Sequence, residues 1–453
     1  MRDICFSILI FLSGFLLPTG SMAQSGVSIG YFDVDATPPI GSPVAYAPAR
    51  SIQDPLSARG IVISTGDETV VLCAVDWIGI ANRSQDVFRE KLASAAGTIP
   101  QNVSVHALHQ HDGVRCDFTT AAILDEYGLS EKHFDTAFLH TTINNVALAV
   151  KEARMNMKPI THVGFGQAKV EKVASNRRIL GADGKVEIIR WSKMTDPDAI
   201  AAPEGTIDPY LKSVSFWNGK TPVVALTYYA THPQSYYGDG DVTCEFVGIA
   251  RNQQENDLGF PHIHFTGAAG NIAAGKYNDG SREMRPILAS RIKMGMNKAW
   301  EKTKKYKINR DDVKWKTTNI ALPLADYMVE AELAKRVSGE LEDPELPRLS
   351  AAKHLAWWQR TTKGHRVTIS ALKIGDVQLL NLPGEIFVEY QLAAQKFQPK
   401  QHICTAAYEE YGPGYIGTKI AYSQGGYETS KRASRVSPES EKVLLNAIEK
   451  VLK

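Results

Sequence analysis

The side chains best suited to chemistry in this 453-residue chain sit at the ends of apolar, strand-like runs. In Val105 to Gly113, V-H-A-L-H-Q-H-D-G, the stretch from Asn102 to Leu108 is predicted to be a strand, and alternation sends His109 and His111 out on one side. Asp112 adds a carboxylate to the same small volume. Neutral imidazole is the commonest protein ligand for a transition metal, and zinc takes histidine together with carboxylate oxygens. One His-x-His equally fits a strand end with two exposed rings. The pattern recurs, however, at His232 in T-H-P, at Glu385 in L-P-G-E and at Tyr415 in a Gly-Pro-Gly turn. Loops at strand ends are where α/β folds assemble sites, so the recurrence carries more weight than any one segment.

The elements that must position these groups alternate. Val27 to Val34 reads as a strand, and Gly60 to Ser64 with Thr69 to Asp76 as a hairpin across Gly66-Asp67. A helix follows, capped by Ser84 and stopped by Gly97, and then the strand that delivers His109. Residues 131 to 154 form an amphipathic helix, whose His133 and His140 read as surface or boundary residues. A second hairpin, Leu211 to Trp217 with Val223 to Thr231 across Asn218-Gly219, ends at His232. A helix over 246 to 256, the strand His262 to Thr266 and the loop G-A-A-G-N-I-A-A-G come next. His262 and His264 form a second His-x-His with apolar flanks, read as mainly structural. The polar region from 309 to 364 reads as surface helices, an insertion or a lid. A third hairpin across Gly375-Asp376 ends at Glu385, and a helix, the strand His402 to Ala406 and a last helix near 437 to 451 complete the chain. This order predicts a mixed α/β fold, mixed β-sheets flanked by helices.

A formal net charge of +2 and the lack of any long block of one sign argue against nucleic acid or a charged membrane surface as partner. Residues 1–23 have the pattern of a secretory signal, with an early Arg2, the apolar run Ile4 to Leu17 and the small-residue site ending at Ala23. The expectation is a secreted or periplasmic protein whose mature domain spans 24–453, with no integral membrane segment. Cys73, Cys116, Cys244 and Cys404 then admit up to two disulfides, although Cys73 in V-V-L-C-A-V reads as a buried free thiol.

Taken together, the chain resembles the catalytic domain of the neutral (non-lysosomal) ceramidases, zinc-dependent amidases of the N-acyl bond of ceramide. G-Y-F-D-V-D-A-T-P-P-I-G is similar to that family's D-I-T-P-P segment, H-Q-H-D-G to its H-T-H-S-G, T-H-P to T-H-G, and L-P-G-E to P-G-E. The Gly-rich loop takes the place of G-D-V-S-P-N, and Y-G-P-G-Y-I-G-T-K-I-A-Y-S-Q-G-G-Y-E that of a closing tyrosine motif. The segments keep family order over nearly the whole mature chain. The resemblance implies that His109, His232, Glu385 and Tyr415 hold Zn2+, with His111 beside the metal as a catalytic group. It also implies that Arg177, in A-S-N-R-R, and Asn271 lie near the substrate; residue type alone leaves Arg177 equally a surface cation.

Two departures shape the expected chemistry. Ala273 stands where the family carries a catalytic serine, so a serine nucleophile is excluded there and attack by metal-activated water is expected. Asp112 replaces the serine of H-T-H-S-G, as a general base, a carboxylate behind a ligand histidine, or a turn residue before Gly113. The resemblance covers the catalytic domain alone, so the family's C-terminal immunoglobulin-like domain is expected to be missing here. The leading expectation is a zinc hydrolase of an N-acyl amide with a small-molecule or lipid-like acyl substrate. The alternatives are a zinc esterase acting on a non-lipid substrate and a non-catalytic zinc- or ligand-binding protein on the same fold.

Overall fold

The computed structural model describes residues 26–453, so the signal segment 1–23 and Cys5 lie outside the described residues. The first sheet contains β1 (Val27–Asp35), β2 (Ser57–Ser64), β3 (Thr69–Val75), β4 (Val103–Ala107) and β5 (Lys158–Ile160), in the order β4-β3-β2-β1-β5. β2 and β3 are buried along their whole length, which is why V-V-L-C-A-V shows no polar alternation. Against this sheet pack α1 (Arg83–Ala96), through Phe88 and Leu92, and α2 (Thr136–Met155), through Leu139, Ile143, Val146 and Val150 at helical spacing.

The second sheet repeats the plan. It holds β6 (His162–Lys169), β7 (Tyr210–Asn218), β8 (Thr221–Tyr229), β9 (His262–Thr266) and β10 (Lys304–Lys307), in the order β9-β8-β7-β6-β10, with α3 (Glu245–Leu258) and α4 (Met284–Glu301) packed together on it. The third contains β11 (Val313–Ile320), β12 (Val367–Ile374), β13 (Val377–Asn381) and β14 (His402–Ala406) in that order. Between its first two strands the chain forms α5 (Arg348–Thr362), which packs on other helices, whereas α6 (Val388–Phe397) and α7 (Ser440–Leu452) pack on this sheet.

Three times, therefore, an antiparallel hairpin is followed by a helix and a strand that returns parallel to the hairpin's second strand: β2-β3-α1-β4, β7-β8-α3-β9 and β12-β13-α6-β14. A parallel return requires such a crossover, and it places the carboxyl ends of both strands on one side. The three sets of carboxyl ends are stitched together. Ala407 N donates to Thr266 O at 2.9 Å and Ala107 N to Tyr408 O at 3.3 Å. Thr266 Oγ1 donates to Leu108 O at 2.8 Å, and Thr266 N to His106 Nε2 at 3.0 Å.

The expected hairpins, the stop at Gly97 and the strands His262 to Thr266 and His402 to Ala406 are present. Four expectations need correction. Ser84 does not cap α1; Asn82 takes that position without a side-chain cap, and Ser84 Oγ instead accepts from Phe118 N at 2.8 Å. The 131 to 154 helix begins only at Thr136, capped by Asp135, because 130–132 form a separate tight turn. Within the polar region, Val313 to Ile320 pairs along its whole length with β12, and its lysines show on the face left to solvent at a sheet edge. Cys73, Cys116, Cys244 and Cys404 are all buried free thiols, so no disulfide joins them. No helix among the described residues is long and apolar enough to cross a membrane.

Candidate metal centre and its cavity

The carboxyl ends of all three units deliver polar groups to one buried point. Just beyond β4, His109 takes a left-handed backbone (φ 65°), a conformation that bulky residues adopt only when held. It is held from three directions. His109 N donates to Trp77 O at 2.9 Å, its Nδ1 lies 2.7 Å from Ile78 O, and its ring stacks at 4.5 Å on Tyr408, itself left-handed at φ 61°. His232 follows β8, and its Nδ1 lies 2.7 Å from Ala269 O and 3.0 Å from Ile272 O. The Gly-rich loop therefore does its work through backbone carbonyls. In both rings the Nδ1 proton is committed to a carbonyl, which leaves the Nε2 lone pair facing the centre.

Glu385 follows β13. Gly384 adopts φ 60° and passes so close to the Gly414 carbonyl that a Cβ would lie 2.6 Å from it. That approach lets Glu385 pair with Tyr415 in a short parallel bridge, with Glu385 N donating to Gly414 O at 2.9 Å. Glu385 Oε2 lies 3.2 Å from His109 Nε2 and 3.1 Å from His232 Nε2, while Oε1 accepts from Tyr411 at 2.5 Å. The Tyr415 hydroxyl is 3.4 Å from His232 Nε2 and accepts from Arg177 Nη1 at 3.1 Å. His111 Nε2 is 3.3 Å from His109 Nε2, and the Tyr46 hydroxyl and the Gln234 amide nitrogen lie 2.8 and 3.1 Å from its Nδ1.

This donor set fits a metal ion. His109, His111 and His232 each bring a ring nitrogen within 4.8 Å of the others. The separations His109–Glu385, His232–Glu385 and His232–Tyr415, 3.1–3.4 Å, approach the edges of about 3.3–3.6 Å expected around a tetrahedral ion with ligands at about 2.0–2.2 Å. Burial, reinforced by the neighbouring imidazoles, holds His111 well below its ordinary value, and burial lowers His232 as well, so both rings are neutral and competent to bind. Burial pushes the Tyr415 phenol well up, so its anion needs a strong local positive charge.

Of the sequence-predicted site residues, His109, His111, His232, Glu385 and Tyr415 come together here. Asp112 does not join them. Its carboxylate accepts from Gly238 N and Arg285 Nη2, both at 3.2 Å, beside the buried Glu245, and it contacts neither ring of the histidine pair. Burial and Glu245 push Asp112 up to about 7. Asn271 is also used internally: Nδ2 donates to Glu389 at 2.9 Å, and Oδ1 accepts from Val388 N at 2.9 Å, tying the Gly-rich loop to α6. Arg177 is no surface cation. It is buried, paired with Glu428 at 3.2 Å, and its guanidinium stands over the rings of Trp191, Tyr415 and Tyr427. Ala273 pairs with Ser175, whose hydroxyl donates to Ala273 O at 2.9 Å. His264 is buried against Thr227 rather than on the cavity wall, while His133 does line the cavity.

The centre forms the floor of a cavity of about 540 Å³, a size suited to a small organic molecule. Its wall includes Tyr46, Arg115, Lys353, Tyr411, Tyr427 and Arg435, none of which was singled out from sequence. Arg115 and Tyr411 lay within reach, in the same stretches as His111 and Tyr415; Tyr46 and Lys353 carried no signal.

No protein-family model matches the chain, and no curated protein is significantly similar. Among solved structures, the crystal structure of neutral ceramidase from Pseudomonas aeruginosa matches with a TM-score of 0.67 and 16 % identity, over 94 % of this chain and 74 % of that one. A structure described as ceramidase complexed with C2 gives 0.66 and 17 %, with the same coverage. At such identity the likeness speaks to architecture, and the three-sheet arrangement built above is the fold of the neutral ceramidases.

Proposed function

We propose that this chain is a secreted or periplasmic zinc-dependent hydrolase that cleaves an N-acyl amide with water. The observation that carries the reading is the convergence of His109, His232, Glu385 and Tyr415 on one buried point at the cavity floor, each held from behind by a partner. Those four residues would hold the metal, whose chemistry when bound is to polarise an acyl carbonyl and lower the pKa of water. Cleavage adds oxygen to the carbonyl carbon and a proton to the departing nitrogen. His111 is the group placed to hold and move that proton at Nε2, since Tyr46 and Gln234 occupy its Nδ1. Arg177 is a positioning residue, fixing the Tyr415 oxygen. With Ala273 in the family serine's place, no hydroxyl there serves as nucleophile.

Ala273 also favours a second reading, a zinc-binding protein that has lost its chemistry, and the same donor set would serve esters as well as amides. Metal analysis, with a panel of acyl amides and esters assayed with and without chelator, separates these. One zinc per chain and chelator-sensitive turnover are expected, and His109→Ala and His232→Ala should each abolish both. Stoichiometric zinc with no turnover supports the non-catalytic reading. Full activity in a metal-free double variant overturns both.

A further inference from the structure

The cavity wall carries an unbalanced charge. Arg115, Lys132, Lys353, Arg432 and Arg435 line it, against only two carboxylates, Glu385 and Asp117. Both acids are already committed. Glu385 faces His109, His232 and Tyr411, and Asp117 accepts from Asn82 Nδ2 at 2.8 Å and Thr120 N at 3.0 Å while capping a helix.

Elsewhere the molecule does not leave buried cations uncompensated. Arg251 makes a two-pronged pair with Asp76, Arg285 meets Asp112 and Glu245, Arg177 meets Glu428, and Arg59 meets Glu255. Arg190, which has no acid, is capped by four backbone carbonyls. The half-buried Arg115 has neither arrangement: its guanidinium stands 5.5 Å over the Tyr46 ring, and among the described residues it has no carboxylate or carbonyl partner. Lys353, projecting from α5, likewise has no partner among the described residues. Burial and then the repulsion of Arg115 and Arg435 hold the Lys353 amine well below its ordinary value, which places these cations in one field. Arg115 and Lys353 are half-buried, so water still reaches them in the open cavity; a substrate that fills it takes them out of water, a cost that an anion offsets and a neutral chain does not.

We propose that the cavity takes an anionic substrate, an acyl amide with a carboxylate a few bonds from the scissile carbonyl, and that Arg115 and Lys353 receive that carboxylate. The placement suits it: Arg115 covers Tyr46, whose hydroxyl touches His111, so the anion sits one ring away from the proton-handling group. An uncharged substrate such as ceramide would bury the same cations against apolar chain and leave them unpaired. The assignment rests on the hydrolase reading above for the amide, but the anion site itself is testable without turnover.

The probes are N-octanoylglycine, with its carboxylate on the amine side, the mono-octylamide of succinic acid, with its carboxylate on the acyl side, and the neutral N-octanoylglycine methylamide. Calorimetry on the chelator-treated full chain measures binding, and kcat/KM on the zinc-loaded protein measures selection. At least tenfold tighter binding of one anionic probe over the neutral one is expected, weakening as salt rises. The ratio should fall close to one in Arg115→Gln and in Lys353→Gln, two independent variants in case one fails to fold. Equal binding of neutral and anionic probes, or a preference that survives both substitutions, overturns the proposal. Anion-selective binding with no hydrolysis of any probe or ester overturns the hydrolase reading while leaving the anion site standing.

Discussion

Replacing Gly270 by alanine tests how the Gly-rich loop supports the centre. A Cβ at that position would lie 2.1 Å from Glu385 O and 2.8 Å from Glu385 C, and both are backbone atoms that no rotamer change can move aside. Non-bonded heavy atoms settle at roughly 3.5 Å, so the Glu385 backbone must retreat by about 1 Å. Gly270 is not among the glycines with positive φ, so alanine itself is unstrained there and the chain-entropy effect would favour it by about 0.4–1 kcal/mol. Overpacking costs about 1–3 kcal/mol, and the balance predicts a net loss of about 1–2 kcal/mol in urea unfolding. The retreat also takes Glu385 Oε2 out of its position 3.1–3.2 Å from two imidazoles. Zinc affinity, read by competition with a chromophoric chelator, should fall by about 10- to 100-fold, the usual effect of disturbing a ligand's support. Lost stability with undiminished zinc affinity would refute the place of Glu385 in the donor set. Wild-type behaviour in both measurements would refute the steric argument itself.

Two further substitutions probe the surroundings. Asp76→Ala leaves Arg251 buried and unpaired beneath the junction of the first two sheets, and should cost about 3–5 kcal/mol in denaturant unfolding; a loss below 1 kcal/mol would mean that water reaches Arg251. Glu409 is pushed by burial from 4.5 up to about 7, so the folded state holds its proton more tightly than the unfolded state. The resulting stabilisation is complete below pH 4.5 and lost as the pH rises through 7, about 3 kcal/mol in all. Glu409→Gln should flatten that part of the stability–pH curve, and an unchanged slope would assign the dependence to other groups.

How much of this was legible in sequence follows from what each feature depends on. The hairpins and their turns are local, set by alternation and by pairs such as Asn218-Gly219, and they stand where expected. His109, His232 and Glu385 stood out because each ends an apolar run in a Gly- or Pro-marked loop, whereas Tyr415 was named as a ligand only through the family resemblance. The fate of Asp112 was not, because it depends on Arg285, 173 residues away, whose presence beside it no spacing reveals. The internal bonds of Asn271 were hidden for the same reason: its partners, Val388 and Glu389, belong to a different unit. The edge strand Val313 to Ile320 was hidden by its own lysines. The threefold repetition of hairpin, helix and strand left no trace in residue identity, since it needs only matching periodicities and crossover lengths.

That repetition explains a division of labour in the site. The donors arise at the carboxyl ends of strands where three sheets are stitched together, and this junction holds His109 and Tyr408 in left-handed backbone conformations that cost about 1–3 kcal/mol each. Such strain persists only where the surroundings over-determine it, so the candidate metal centre lies in a tightly constrained part of the molecule. The cationic wall is built differently: Arg115 comes from a two-residue strand, Lys353 from α5, and Arg432 from a loop. Charge on these elements can change without touching a donor or its carbonyl anchor. The same fold can therefore carry a differently charged wall around an unchanged donor cluster.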